Sequence, residues 1–213
     1  MLSLRGLYAI LDLTPALAED EGWALARGGQ LLAARPCCLQ LRAKGGGARA
    51  LVALARRLAP LCRAAGVPFC VNDRLDVALA AGAEVVHLGQ DDLSLADARR
   101  VRARVGRLDL SIGISTHNQA QAMAAAAAGA DYIGVGPIFA TASKLDPDPI
   151  VGLTELAAIC GAVSVPVVAI GGIRLDNVGL VAAAGASAAA VISAIASASD
   201  PTAAARQVGA AFR

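Results

Sequence analysis

Of the 19 basic side chains in this 213-residue sequence, only Lys44 and Lys144 are lysine. Lys44 closes the run Gln40-Leu41-Arg42-Ala43-Lys44, and Lys144 follows the small-hydroxyl stretch Thr141-Ala142-Ser143. An ammonium is a compact point charge without the bidentate fork of a guanidinium, and beside small hydroxyls it suits a phosphate ligand. Two carboxylates complement these cations: Asp73, within Asn72-Asp73-Arg74, and Asp92, at the end of His87-Leu88-Gly89-Gln90-Asp91-Asp92. A pair of this kind can hold Mg2+, which takes one or two protein carboxylates, keeps several waters and binds substrate phosphate. Ser115 and His117 have the same strand parity and can face one site together. Gly171-Gly172 and Ile192-Ser193 offer backbone amides to a second phosphate.

The elements that must position these residues alternate regularly. Eight short apolar runs read as strands: Leu7–Leu13, Cys37–Ala43, Pro68–Asn72, Glu84–Gly89, Leu110–Thr116, Asp131–Pro137, Val165–Gly171 and Ala188–Ser193. Each is followed by an Ala/Leu/Arg-rich helical stretch, the last starting near Asp200-Pro201. Nearly continuous apolar character is the mark of parallel strands covered on both faces. Glycines at 66, 82, 129 and 185 stand where helices end before the chain turns back into the sheet. Eight βα units fill residues 1–213 and leave no room for a second domain. No GxGxxG follows the first run, which argues against an open dinucleotide-binding sheet. The expected fold is α/β, a single-domain (β/α)8 TIM barrel, with chemistry at the C-terminal strand ends.

Every residue singled out above lies at such an end. On the second strand, alternation puts Gln40, Arg42 and Lys44 on one face and Leu39, Leu41 and Ala43 on the other. Neighbouring barrel strands lie roughly 5 Å apart, so Asp73 and Asp92 can converge on one cation. Simpler readings compete. Asp73, Asp91 or Asp92 could cap the helices that follow, as could Ser115 or His117. His87, flanked by Val86 and Leu88, reads as a core histidine. The stretch from Ile138 to Val151 is the longest without an element and is long enough to act as a lid.

Composition excludes several classes. A formal net charge of +2 and 3% aromatic content provide neither a basic stripe nor a stacking platform for nucleic acid. With 56% hydrophobic residues the chain is not disordered. The uncharged segment between Asp176 and Asp200 is built of Ala, Gly and Ser, interrupted at Gly185, and reads as a helix and a buried strand rather than a membrane span. The apolar run before Asp12 is too brief for a secretory signal. Five cysteines (37, 38, 62, 70 and 160) form no CxxC pair and read as reduced thiols of a cytoplasmic protein. Homo-oligomerisation stays open.

Taken together, these motifs resemble the thiamine-phosphate synthase (thiamine-phosphate pyrophosphorylase) family. The resemblance runs from about Leu7 to the last helix and rests on Gln40–Lys44, Val71–Arg74, His87–Asp92, Gly134–Phe139, Thr141–Lys144, Val168–Ile173 and Val191–Ser193. It implies a pyrimidine-pyrophosphate pocket formed by Gln40, Leu41, Arg42, Ala43, Lys44, Asn72, Ser115 and Lys144. It implies Mg2+ on Asp73 and Asp92, and a thiazole phosphate held by Thr141, Ala142, Ser143, Gly172, Ile192 and Ser193. The implied reaction joins a pyrimidinylmethyl pyrophosphate to a thiazole phosphate and releases pyrophosphate by a dissociative route, with Lys144, Ser115, Arg42 and Lys44 as the catalytic set. The substrates are small molecules, with neither nucleic acid nor membrane as partner. Two other functions compete: a thiazole phosphate tautomerase using His117 as proton shuttle, and a non-catalytic sensor of a phosphate ligand.

Overall fold

The apolar runs become eight parallel strands, hydrogen-bonded in sequence order and closed between the last and the first. The computed structural model describes residues 2–13, 20–45, 47–141 and 148–213. In order, the elements are β1 (Gly6–Leu13), α1 (Glu21–Leu32), β2 (Cys38–Ala43), α2 (Ala48–Ala65), β3 (Phe69–Asn72) and α3 (Leu75–Ala81). There follow β4 (Val85–Leu88), α4 (Leu95–Arg104), β5 (Ser111–Thr116), α5 (Gln119–Ala127), β6 (Tyr132–Val135) and α6 (Gly152–Ala162). The chain ends with β7 (Val167–Ile170), α7 (Val178–Ala183), β8 (Ala188–Val191), a single extra turn α8 (Ser193–Ala196) and α9 (Pro201–Ala210). This is the expected (β/α)8 barrel, and the uncharged segment after Asp176 supplies α7, β8 and α8. Among the described residues no helix is long and apolar enough to cross a membrane.

Several strands are shorter than their apolar runs. The sixth run stops at Val135 because Gly136-Pro137, a cis peptide, follows and proline lacks the N–H a ladder needs. The seventh stops at Ile170 because Gly171 has φ +97°, outside extended geometry. A Cβ on Gly171 would also run into Pro137, so the two loop starts pack backbone to backbone.

Alternation along each strand sorts the core into two layers. Outward residues such as Leu39, Leu41, Val71, Val86 and Ile133 pack under the helices. Inward residues form a second cluster inside the barrel, with Tyr8, Ile10, Cys38, Cys70, Val85, Tyr132, Val168, Ala188 and Ala190 among them. Two glycines shape this interior. A Cβ on Gly113 of β5 would overlap the Tyr132 ring, and one on Gly134 of β6 would come within 3.0 Å of the His87 ring. Glycine inside a strand commonly marks such a close approach.

Helix ends follow the sequence signals. Gly66 and Gly82 end α2 and α3 in the left-handed conformation at φ +68°. Asp200 caps α9 by accepting the Ala203 N–H. The seam pairs Gly6, Leu7, Tyr8 and Ala9 of β1 with Ala188 to Val191 of β8, and Arg5 Nε donates to the Phe212 carbonyl at 2.8 Å.

Candidate active site

A cavity of about 380 Å³ opens at the C-terminal ends of the strands. It falls within the range of small-molecule sites. Gln40, Arg42 and Lys44 of the β2 end line it, with Asn72 and Asp73 after β3, Asp92 after β4, and Ser115 on β5. Thr141, Gly172, Ile192 and Ser193 line the far side. The strand-end prediction therefore brings these eleven residues to one place. Leu41 and Ala43 are different: both belong to the outer core, so their side chains do not reach the cavity. Strand parity dictates this, and only their backbone is available to a ligand. Ala142, Ser143 and Lys144 lie outside the described residues.

Capping does not account for the acidic and hydroxyl side chains. The residue before α3 is Arg74, with no side-chain cap bond, and Asp73 is not the cap. Ser94, not Asp91 or Asp92, caps α4 by accepting from the Asp97 N–H. Asn118 caps α5, which leaves both Ser115 and His117 at the cavity. Asp73 also stands at φ +62°, a left-handed conformation that a non-glycine residue adopts at some cost. Its N–H is held by the His87 carbonyl at 2.7 Å, and that bond fixes it. Strain of this sort clusters at functional sites.

Asp73 and Asp92 are in contact. Burial and the neighbouring Asp92 carboxylate push Asp73 up to about 6, against the pull of Lys44 and Arg42. Asp92 is positioned by the Gly89 N–H, which donates to Oδ2 at 2.6 Å. A carboxylate whose proton affinity is raised by a neighbouring carboxylate is an arrangement a divalent cation would relieve. The oxygen-only donor pair fits Mg2+, although among the described residues no cluster of three or more His, Cys, Asp or Glu forms a self-sufficient metal cage. A cation here would keep waters or take substrate oxygens.

Arg42 is not a free cation. Its guanidinium pairs with Asp12 of β1, and the two side chains are 16% and 24% exposed. Sequence reasoning overlooked Asp12, although it shares parity with Tyr8 and Ile10 and sits at a strand end, where it must face inward.

His87 corrects the core-histidine reading. It is partly buried, lines the cavity, and bonds through both ring nitrogens. Nδ1 lies 2.9 Å from the Tyr132 hydroxyl, and Nε2 lies 2.9 Å from Ser115 Oγ. Burial lowers its pKa to about 4, with Asp92 opposing, so the ring is neutral near pH 7. Tyr132 in turn meets Tyr8, hydroxyl to hydroxyl, at 2.9 Å, and Gln40 Nε2 donates to Tyr8 at 3.1 Å. The chain has only two tyrosines, and both end in this one contact. That scarcity was the available signal.

The opposite rim is built from backbone. Gly172 has φ +64°, and a Cβ there would overlap the Ala140 carbonyl. Asn177, 9% exposed, ties this turn by donating to the Gly172 carbonyl at 3.1 Å and accepting the Arg174 N–H at 2.7 Å. Ser193 opens α8. Loops after strands seven and eight with a short extra helix form the recurrent phosphate site of such barrels. His117 Nδ1 is 2.6 Å from the Gly136 carbonyl, and Nε2 is 3.6 Å from Asp148.

Known proteins resemble this chain in sequence and fold. Residues 7–195 match the model of the family described as thiamine monophosphate synthase. A thiamine-phosphate synthase of Laribacter hongkongensis is 46% identical over 202 residues, covering 95% of this chain and 92% of that one. Another, from Chloroflexus aurantiacus, is 49% identical over 170 residues, 80% of this chain and 76% of its own length. Among solved structures, a thiamine phosphate pyrophosphorylase from Pyrococcus furiosus matches with a TM-score of 0.85 at 32% identity, covering 99% of this chain and 96% of that one. On this likeness in sequence and fold, the chain belongs to the thiamine monophosphate synthase family, whose members transfer an alkyl group other than methyl.

Proposed function

We propose that the cavity joins 4-amino-2-methyl-5-pyrimidinylmethyl pyrophosphate to 4-methyl-5-hydroxyethylthiazole phosphate, giving thiamine phosphate and pyrophosphate. One observation carries the assignment of sides: the Asp73–Asp92 carboxylate contact beside Arg42 and Lys44. It supports putting the pyrophosphate at that end and the thiazole phosphate at the glycine and serine rim of Gly172 and Ser193.

In this reading the bond between the pyrimidine methylene and the pyrophosphate oxygen breaks first. The electron pair leaves with pyrophosphate, and the resulting carbocation is trapped by the thiazole nitrogen, whose lone pair forms the new C–N bond. No protein nucleophile and no proton transfer are required. Mg2+ held by Asp73 and Asp92 would supply charge neutralisation on the departing pyrophosphate. Arg42, oriented by Asp12, and Lys44 bind the same oxygens, and Lys144 is assigned to the leaving group with them. Asn72 and Thr141 line the two halves of the cavity and hold the partners in line. Inward apolar side chains at Ile10, Val168 and Ile170 keep the floor dry, which protects the cation from water.

The loop from Ile138 to Val151, of which residues 142–147 lie outside the described residues, is assigned the role of lid. Its described ends are pinned to the barrel, Phe139 N–H to the Gly171 carbonyl at 3.0 Å and Val151 N–H to the Pro137 carbonyl at 2.8 Å. All five cysteines are free thiols, which favours a reducing, cytoplasmic setting.

The test is an assay of both substrates with and without Mg2+. Metal-dependent release of pyrophosphate with formation of thiamine phosphate is expected. Metal-independent isomerisation of the thiazole without pyrophosphate release would instead assign a tautomerase using His117, and saturable binding without turnover would assign a sensor.

A further inference from the structure

We infer that Tyr8 and Tyr132 are positioning residues that set the tautomer of His87, so that Ser115 offers its hydroxyl hydrogen and Gln40 its amide oxygen to the pyrimidine. The inference rests on the proposed function and deepens it: the buried tyrosine pair makes the site specific for an amino-substituted pyrimidine.

The argument is one of donor counting. Gln40 Nε2 can only donate, and it faces both the Tyr8 hydroxyl at 3.1 Å and Cys70 Sγ at 3.7 Å. Cys70 in turn points its thiol at the Val71 carbonyl, so its sulfur is left as an acceptor. The amide therefore turns its nitrogen toward the barrel floor and its oxygen away from it. With Gln40 donating to the Tyr8 oxygen, the single Tyr8 hydrogen has the Tyr132 oxygen, 2.9 Å away, and the weaker sulfur acceptors of Cys38 and Cys70 to choose from, and it goes to the oxygen. The Tyr132 hydrogen then goes to His87 Nδ1, also at 2.9 Å. A neutral imidazole that accepts at Nδ1 carries its proton on Nε2 and donates it to Ser115 Oγ. The Ser115 hydrogen has nowhere left to point but the cavity.

The reverse polarity is poorer. If Nδ1 carried the proton, Tyr132 would accept from His87 and pass its own hydrogen toward Tyr8. The Tyr8 hydrogen would then have only sulfur to meet, a weak acceptor. The inferred direction makes every link an O–H or N–H bond to oxygen or nitrogen. Glycine at 113 and at 134 is what lets the Tyr132 and His87 rings approach closely enough to make it.

A hydroxyl donor and an amide acceptor complement an aminopyrimidine, which has a ring nitrogen lone pair for Ser115 and amino hydrogens for Gln40. The corresponding pyrimidinone offers a carbonyl oxygen to the Gln40 oxygen, opposing like with like, and a ring N–H that Ser115 meets only by turning its own hydrogen away. Sites that commit buried polar groups in this way discriminate strongly.

Two measurements test the inference. Nitrogen-15 NMR of the histidines in the free protein reads the tautomer without substrate, and a His87→Asn variant assigns the signals, since His117 is the only other histidine. A protonated Nε2 and a bare Nδ1 on His87 are expected, and a protonated Nδ1 overturns the relay. Steady-state kinetics of Tyr132→Phe then read the consequence. KM for the pyrimidine pyrophosphate rises about tenfold with KM for the thiazole phosphate unchanged, and preference for the amino over the oxo pyrimidine falls by about the same factor. Tyr8→Phe shifts the same quantities in the same direction and serves if Tyr132→Phe does not fold. Equal change in both KM values, or unaltered amino-over-oxo preference, overturns it. Failure of the wild type to condense the substrates would refute the proposed function and leave the tautomer measurement standing.

Discussion

Asp12 of β1 and Arg42 of β2 are direct partners in the parallel register, and their side chains close an ion pair at the cavity edge. Pairing fixes where the guanidinium points while leaving its remaining N–H groups for a ligand. Asp12→Asn frees Arg42 from that direction. KM for the pyrimidine pyrophosphate then rises about tenfold, the cost of one charge-assisted contact, while KM for the thiazole phosphate holds. Initial rates with each substrate varied in turn check this.

Asp73 carries a stability cost that depends on pH. Its folded-state pKa, about 6, lies above the ordinary 3.8, so between these values the folded protein holds a proton the unfolded chain has lost. Stability falls as pH rises through that window, and the full deficit is present above it. Asp73→Asn removes the deficit, and asparagine tolerates the left-handed backbone there. The metal-free variant melts a few degrees higher than wild type at pH 7.5 and at the same temperature near pH 3.5, while turnover is lost. Thermal denaturation by circular dichroism at the two pH values checks the sign.

Lys144 is assigned to the leaving pyrophosphate together with Lys44. Lys144→Ala lowers kcat by orders of magnitude and leaves the far-ultraviolet spectrum and melting temperature unchanged. Near-full activity would remove this lysine from the reaction.

Gly113 makes room for Tyr132. In Gly113→Ala the new methyl overlaps the ring, and the protein loses about 1–3 kcal/mol of stability in urea denaturation. Adding Tyr132→Leu recovers part of the stability but none of the activity, because the space is relieved and the hydroxyl is gone.

Much of this molecule can be read before folding. Eight apolar runs, with glycine at the helix ends, specify the barrel because closed parallel sheets demand continuous apolar strands. Parity placed Gln40, Arg42 and Lys44 inward and sent Leu41 and Ala43 outward, which a contiguous motif conceals. His87 was misjudged because two valines and a leucine around it look like core, and only the register shows its ring meeting Tyr132 from β6 and Ser115 from β5. Tyr8 and Asp12 escaped notice for a similar reason. Tyr8 meets Tyr132 across the interior from β6, and Asp12 meets Arg42 from the neighbouring β2, and no local pattern encodes which side chains pair between strands. The failure of the capping readings was equally invisible, since Ser94 and Asn118 compete for the same helix ends a few residues away.

The seam between β1 and β8 has a consequence for synthesis. Its partners, Gly6 with Ala188 and Ala9 with Val191, are separated by nearly the whole chain. While the ribosome extends the polypeptide, one edge of β1 has no strand to pair with until the final alanine-rich strand emerges. For most of translation the nascent chain is thus an open, adhesive sheet rather than a barrel. Its floor, where Tyr8 of β1 meets Tyr132 of β6, cannot be set until that late closure.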